Sequence, residues 1–213
     1  MGWMGRAASA VLCAALGLAV PAMAMPQQGG VDFGKEQASG EVRALARWTL
    51  RTADHAGMPF AIVDKVNAQI YVFDRSGRLQ GASRVLLGQA IGDDSAPDVG
   101  EHAQAGNVPL HERTTPAGRF VSEPGRNRQG EHVVWVDYES AFAIHRLRPG
   151  ASQRQRLARL ASDTPRDNRA SYGCVVVPVD FYLDVVSPLL GNGRAVVYVL
   201  PEKGPPHDLL EAL

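Results

Sequence analysis

The sequence predicts a mainly β (α+β) domain with a few flanking helices, and three observations predict it. About six short runs rich in Val, Ile, Tyr and Phe are separated by turn residues, only three stretches carry a helical period, and the two kinds do not alternate as a doubly wound nucleotide-binding sheet requires. No repeat or heptad pattern appears. The 213 residues carry 22 basic and 22 acidic side chains, so charge makes no case for nucleic acid or an anionic membrane as partner.

The first segment, MGWMGRAASAVLCAALGLAVPAMA, has a basic residue at Arg6, an apolar stretch from Ala10 to Val20, and the small-x-small pattern Ala22, Met23, Ala24. This is the layout of a secretory signal peptide over residues 1–24, cleaved after Ala24. An uncleaved anchor needs about 20 apolar residues, and this run is shorter and broken by Pro21, so no stable membrane insertion is expected after cleavage. Cys13 follows Leu12 rather than the small residue of a lipoprotein signal and leaves with the segment. Of 213 residues, 24 go and 189 remain, enough for one domain with a full core. Loss of Arg6 leaves 21 basic against 22 acidic groups.

Residues 25–41, rich in Gly, Gln and Ser, read as a flexible tether. From Glu41 to Ala56 the positions Val42, Leu45, Ala46, Trp48, Thr49 and Ala53 recur at three- and four-residue steps, an amphipathic helix ended by Gly57 and Pro59. Strands follow at FAIVD from Phe60, AQIYVFD from Ala68 and LQGASRVLLG from Leu79, the last two joined by the hairpin turn DRSGR. The loop from Gly92 to Pro109 is long for a compact domain, and a lid and an insertion without a role both suit it. TTPAG at Thr114–Gly118 reads as a structural turn. Strands return at HVVWVDYE from His132 and AFAIHRL from Ala141. Helices are expected at ASQRQRLARLA from Ala151 and PVDFYLDVVSPLL from Pro178, a last strand at RAVVYVL from Arg194, and a tail over 201–213, so that the domain proper spans 42–200.

After cleavage one cysteine remains, Cys174 in ASYGCVVVP. A lone thiol in an exported protein pairs with another molecule, stays buried and inert, or reacts. A nucleophilic cysteine needs a base and donors for the oxyanion formed on the attacked carbonyl. His145, set in the apolar strand FAIHR, is the histidine placed to be that base, and Gly173 allows close approach of backbone N–H groups beside the thiol. A cationic imidazole nearby would lower the thiol from its usual pKa of about 8.5 and populate the thiolate. A small buried hydrophobe at Cys174 and a satisfied core histidine at 145 fit the residue types equally. Metal catalysis finds no ligand spacing: HERTT at His111 lacks the second histidine of a zinc-protease helix, and His102 and His132 have no partners in register.

The segments VDKVNAQIYVFDRSGRLQGASRVLLGQ, TTPAGRFVSEPG, FAIHR and SYGCVVVP, in this order, resemble the catalytic domain of the L,D-transpeptidase (YkuD) family over roughly Phe60 to Leu200. The resemblance implies a β-sandwich-like L,D-transpeptidase catalytic domain, a cysteine-dependent transpeptidase of the periplasm that acts on peptidoglycan stem peptides and needs no cofactor. It makes Cys174 the nucleophile that displaces a terminal D-alanine to form a thioester, and His145 the base, its ring oriented by an adjacent backbone carbonyl. Gly173 and the N–H groups around Cys174 become the oxyanion hole, and Ser171 a brace for the loop. An acceptor amine then gives a 3→3 cross-link; water gives hydrolysis, as in carboxypeptidase action or release of a wall-linked protein. A wall-binding module with a decayed site is the non-enzymatic alternative.

The sequence departs from the family's Ser-His-Gly-Cys motif at Tyr172, whose phenol can donate one hydrogen bond but cannot become a cation. Val176 stands where the family carries Arg or Asn, and Arg146 follows His145 in place of Gly. Substrate contacts are therefore expected from Tyr172, Ser171 and the arginines near the site. Of Arg146, Arg148, Arg166 and Arg169, Arg169 is the first choice for a substrate carboxylate because it lies five residues before Cys174. Arg154, Arg156 and Arg159 read as a solvated helix face.

Overall fold

The computed structural model describes residues 1–2 and 31–204. The expected signal peptide beyond Gly2, the start of the tether at 25–30 and the tail at 205–213 lie outside the described residues. The described residues hold ten strands: β1 Phe60–Asp64, β2 Gln69–Phe73, β3 Leu79–Arg84, β4 Leu87–Gly88, β5 Gly118–Arg126, β6 His132–Asp137, β7 Phe142–Arg146, β8 Arg169–Ser171, β9 Val175–Val177 and β10 Ala195–Val199. Eight of them hydrogen-bond in the order β3-β2-β1-β10-β5-β6-β7-β9, and β4 pairs with β8. The chain is thus mainly β with a few helices.

The long strand β5 divides this sheet into two halves. Its residues up to Ser122 pair with β10, and from Glu123 it pairs with β6. The side chains alternate accordingly. Ala61, Val63, Ile70, Val72 and Val197 from one half meet Val134, Ile144, Val175 and Val177 from the other in a shared core, closed by Tyr182, Val186 and Leu190. The opposite positions of the first half, Phe60, Ile62, Tyr71, Phe73, Val196 and Tyr198, form a second core beneath a helix. Strands buried on both faces read as continuous apolar runs, which is why β1, β2 and β10 stand out in the sequence.

That helix, α1 at Gly40–Thr52, is capped by Ser39 Oγ, which accepts from the Val42 N–H, and it buries Val42, Leu45, Ala46 and Thr49. Burying a side chain such as Leu45 contributes about 1.5–3 kcal/mol. The helix stops before the expected breakers: Ala53 adopts φ 54 and its N–H closes on Thr49 and Leu50 carbonyls, so Ala53 is a cap and not a core residue. Part of the stretch read as a tether is packed: Phe33 is only 3% exposed and edge-on to Tyr71 and Phe73, and Val31 and Ala38 lie against the same core.

Two further differences concern the middle of the chain. The longest strand, β5, falls on GRFVSEPGR, where the sequence suggests only a turn. Gly118, Pro124 and Gly125 disguise it, and they sit where the strand begins and where it passes between half-sheets, a position at which bends are tolerated. The long loop contains a short helix, α2 at Val99–Ala105, whose Gly100 lies so close to the Glu139 carbonyl that no Cβ would fit. After β7, α3 at Gln153–Ala161 covers Leu86, Leu147 and Val176 through Leu160. The last helical stretch runs as α4 Val179–Phe181, a wide π turn Tyr182–Val186 and α5 Ser187–Leu190. Pro188 accounts for the widened turn, because its ring would crowd the carbonyl four residues back in a regular helix. Among the described residues no helix is long and apolar enough to cross a membrane.

Candidate active site

Strand alternation puts the candidate residues on one outer face of the second half-sheet. In β7, Phe142 and Ile144 enter the shared core, so Ala143 and His145 point the other way. In β6, Val134 and Val136 are core, which leaves Val133 and Trp135 on the same outer face. β9 runs parallel to β7 with His145 opposite Val176, and Cys174 just precedes it. Cys174 and His145 consequently line one cavity of about 550 Å³, with Trp135, Tyr138, Arg126, Arg128 and Arg148 on its walls and Ala103 and Gln104 of α2 at its edge. Trp135 pairs with Glu123, and its indole reaches over Gly125, where a Cβ would stand 2.6 Å from the ring.

His145 is 9% exposed, and its Nδ1 lies 2.8 Å from the Arg146 carbonyl. A carbonyl only accepts, so Nδ1 carries the proton and Nε2 is the ring's acceptor. Burial pushes the imidazole down to about 4, a drop that the Arg146 carbonyl opposes, Arg148 and Arg156 reinforce and Glu131 opposes. Cys174 Sγ donates to the Ala141 carbonyl at 3.5 Å, which the left-handed backbone of Ala141 (φ 53) helps present. The thiol is partly open to the cavity and crowded on its other sides. That burial raises its pKa, against smaller opposing effects of the Ala143 backbone and Arg148. The resting pair is therefore neutral thiol and neutral imidazole, and the expectation of a standing thiolate beside a cationic imidazole is corrected: removal from water penalises both charged forms.

The loop before the cysteine is braced internally. Ser171 Oγ donates to the Cys174 carbonyl at 2.6 Å and accepts from the Gly173 N–H at 3.2 Å. Gly173 has φ +130, and a Cβ on it would meet the Thr114 carbonyl at 2.8 Å, so only glycine suits the position. Because its N–H is engaged by Ser171, Gly173 does not present that donor to a bound carbonyl, unlike the oxyanion-hole role expected of it.

The arginines are distributed differently from the sequence expectation. Arg169 is committed internally: its guanidinium pairs with the Glu202 carboxylate and donates to the Lys65 carbonyl at 3.1 Å. Arg146 has the parity of Ile144, opposite to His145, and its charge acts on Tyr182. Tyr172 is exposed, lies under the Arg113 guanidinium at 3.9 Å, and faces a separate crevice with Thr114 and Pro116. The charge beside Cys174 comes instead from Arg148, Arg126 and Arg128. Arg148 Nε lies 2.7 Å from Glu131 Oε2, within ion-pair range but off the hydrogen-bond axis. Arg126 Nη1 donates to Gly130 O at 2.6 Å and Arg128 Nη1 to Gln104 O at 2.5 Å, the latter tying the β5–β6 hairpin to α2. Arg156, read as a solvated helix residue, has a buried Nε with no partner among the described residues, and its pKa is lowered by burial and by Arg148. Among the described residues three arginines and no carboxylate line the cavity, with Glu131 paired to Arg148 beside it, so the cavity is net cationic. The signal for Arg126 and Arg128 was present in the hairpin GRNRQGE, two arginines flanking a turn that follows an apolar strand.

No protein-family model matches the chain, and no curated protein matches it. Among solved structures, the chain is similar to the Ldtfm-avibactam carbamoyl enzyme at 17% identity, covering 67% of this chain and 49% of that one, with a TM-score of 0.37. A crystal structure of an Enterococcus faecium L,D-transpeptidase mutant shares 15% identity over 67% of this chain and 50% of that one, with a TM-score of 0.35. The catalytic domain of an E. faecium L,D-transpeptidase, solved by NMR, shares 19% identity over 66% of this chain and 95% of that one, with a TM-score of 0.34. The chain spans about half the length of the first two.

Proposed function

We propose that this chain is an exported cysteine acyltransferase of the L,D-transpeptidase type, acting on peptidoglycan stem peptides in the periplasm after loss of residues 1–24. The observation that carries the reading is the neutral, rigid His145, with Nδ1 tied to the Arg146 carbonyl and Nε2 left to take a proton, on the same cavity as the single cysteine of the mature chain. The cationic walls suit an acyl donor that bears carboxylates.

In the proposed reaction Sγ attacks the carbonyl of the L-centre residue of a stem tetrapeptide while its proton passes to Nε2 of His145. The tetrahedral oxyanion collapses, the bond to the terminal D-alanine breaks, and the imidazolium returns the proton to the leaving amine. A thioester remains on Cys174. An acceptor amine attacks it, loses a proton to His145, and departs as the amide of a 3→3 cross-link while the thiol is restored. Because the resting pair is neutral, the thiolate forms only as attack proceeds, and the base has to act in the same step.

The test is incubation of the mature protein, Cys174→Ala and His145→Gln with disaccharide-tetrapeptide, followed by mass spectrometry of the products. Dimers lacking one alanine, dependent on both residues, support transpeptidation; tripeptide without dimers replaces it with hydrolysis. Folded protein that yields neither refutes the enzymatic reading in favour of a binding module.

A further inference from the structure

Beneath the cysteine loop lies a buried hydroxyl that takes no part in the proposed proton transfers. Thr115 is fully buried. Its Oγ1 donates to the Gly173 carbonyl at 2.7 Å and accepts from the Gly88 N–H at 2.8 Å. Its own carbonyl accepts from Lys65 Nζ at 2.9 Å, and the same ammonium binds Gly92 O and Asp93 Oδ1 at 2.7 and 2.6 Å. Thr115 is thus fixed from behind, through both its backbone and its hydroxyl.

A trans peptide is planar, with C=O and N–H pointing in opposite directions. A Gly173 carbonyl held against Thr115 therefore turns the Cys174 N–H away from Thr115. That amide acts on its own sulphur, helping to offset the effect of burial on the thiol. The neighbouring Gly173 N–H is engaged by Ser171 Oγ. This leaves the Cys174 N–H as the backbone donor of the loop that stands next to Sγ.

We propose that Thr115 is a positioning residue: by holding the Gly173 carbonyl, its hydroxyl aims the Cys174 N–H at the oxyanion that forms when Sγ attacks a carbonyl. The proposal rests on Cys174 acting as a nucleophile, as in the reading above. Without the hydroxyl the Gly173 carbonyl loses that hydrogen bond, the Gly173–Cys174 peptide can tilt between the two groups that Ser171 braces, and the donor is misaimed. Loss of one oxyanion donor slows acylation about 10²-fold or more. Displacement at an sp³ carbon forms no oxyanion and is spared.

Two electrophiles separate these effects at Cys174. With p-nitrophenyl acetate the S–acyl bond forms, p-nitrophenolate leaves, and the thiol proton passes to His145 or solvent; with iodoacetamide the S–alkyl bond forms, iodide leaves, and the thiol proton goes to solvent. Both rates are read by intact mass, with the Cys174→Ala background subtracted. Thr115→Val is expected to lower the ratio of acylation to alkylation about 10²-fold, and Thr115→Ser to restore it. If Thr115→Val does not fold, Thr115→Ala, which leaves room for water, carries the same comparison. An unchanged ratio, equal slowing with both reagents, or failure of Thr115→Ser to rescue overturns the proposal. A purely structural role would lower the melting temperature and leave the ratio alone. A shifted ratio in a protein inert towards muropeptides keeps this inference and rejects the transpeptidase, whereas muropeptide turnover with an unmoved ratio does the reverse.

Discussion

Replacing Lys65 by Met tests whether one buried ammonium secures the start of the long loop at Gly92 and Asp93. The Lys65 side chain is fully buried, its Nζ donates to Gly92 O, Asp93 Oδ1 and Thr115 O, and Glu202 Oε1 lies 3.8 Å away. Burial lowers its pKa and the Asp93 and Glu202 charges oppose that, so the ammonium is held by its partners against the loss of water. Breaking a buried ion pair from one side costs about 3–5 kcal/mol. The lower end applies here, because Asp93 is 19% exposed and keeps the backbone N–H groups of Glu202 and Lys203, while Glu202 keeps Arg169. A loss of about 3 kcal/mol in a domain of this size lowers the melting temperature by about 6–12 °C. Urea denaturation followed by tryptophan fluorescence measures it. Adding Asp93→Asn removes the stranded charge and keeps one amide oxygen for the Glu202 N–H, while the exposed Lys203 N–H turns to water, so the double variant is expected to recover part of the loss. A drop below about 1 kcal/mol for Lys65→Met, against the 3–5 kcal/mol of a broken buried pair, or a double variant less stable than the single one, would mean that the ammonium does not hold this loop.

Gly173→Ala combines a φ of +130 with a Cβ 2.8 Å from the Thr114 carbonyl, and it is expected to destabilise by about 1–3 kcal/mol and to displace the cysteine loop, slowing Cys174 acylation; a fully active, equally stable variant contradicts the close approach. Burial holds the His145 pKa at about 4, so acylation is expected to rise as pH climbs through about 4, with no step near the usual 6.5; a step there would mean an imidazole in water. The unfolded chain takes up this proton at higher pH than the folded one, so stability falls as pH drops from 6.5 towards 4, and His145→Gln flattens that part of a melting-temperature profile against pH.

What was legible in the sequence follows from which forces are local. The strands FAIVD, QIYVF and AVVYV are apolar on both faces and announce themselves, and the period of Val42, Leu45, Ala46 and Thr49 fixes the buried face of α1. The alternation in FAIHR likewise separates Phe142 and Ile144 from His145, and this puts His145 on an outer face. Strand β5 was hidden because Gly and Pro mark both turns and the point where a strand changes sheets. The partner of Arg169 was hidden for another reason: Glu202 lies 33 residues further along, and nothing in the spacing links them. Closeness in sequence to Cys174 proved a poor guide for arginines, since Arg126, Arg128 and Arg148 reach the cavity through strand pairing and Arg169 turns away from it. The charge state of the thiol and imidazole was also beyond the sequence, since it depends on burial that only the packed sheet supplies.

The most direct measurement is location of the acyl group. Protein lacking residues 1–24 is mixed with disaccharide-tetrapeptide, quenched in acid within the first turnover, digested and mapped by mass spectrometry. The donor, less its terminal alanine, is expected on the peptide containing Cys174, labile to hydroxylamine as a thioester is, and formed about 10²-fold or more slowly by His145→Gln. An adduct on any other residue, or none on folded protein that retains the native melting temperature, would contradict that expectation.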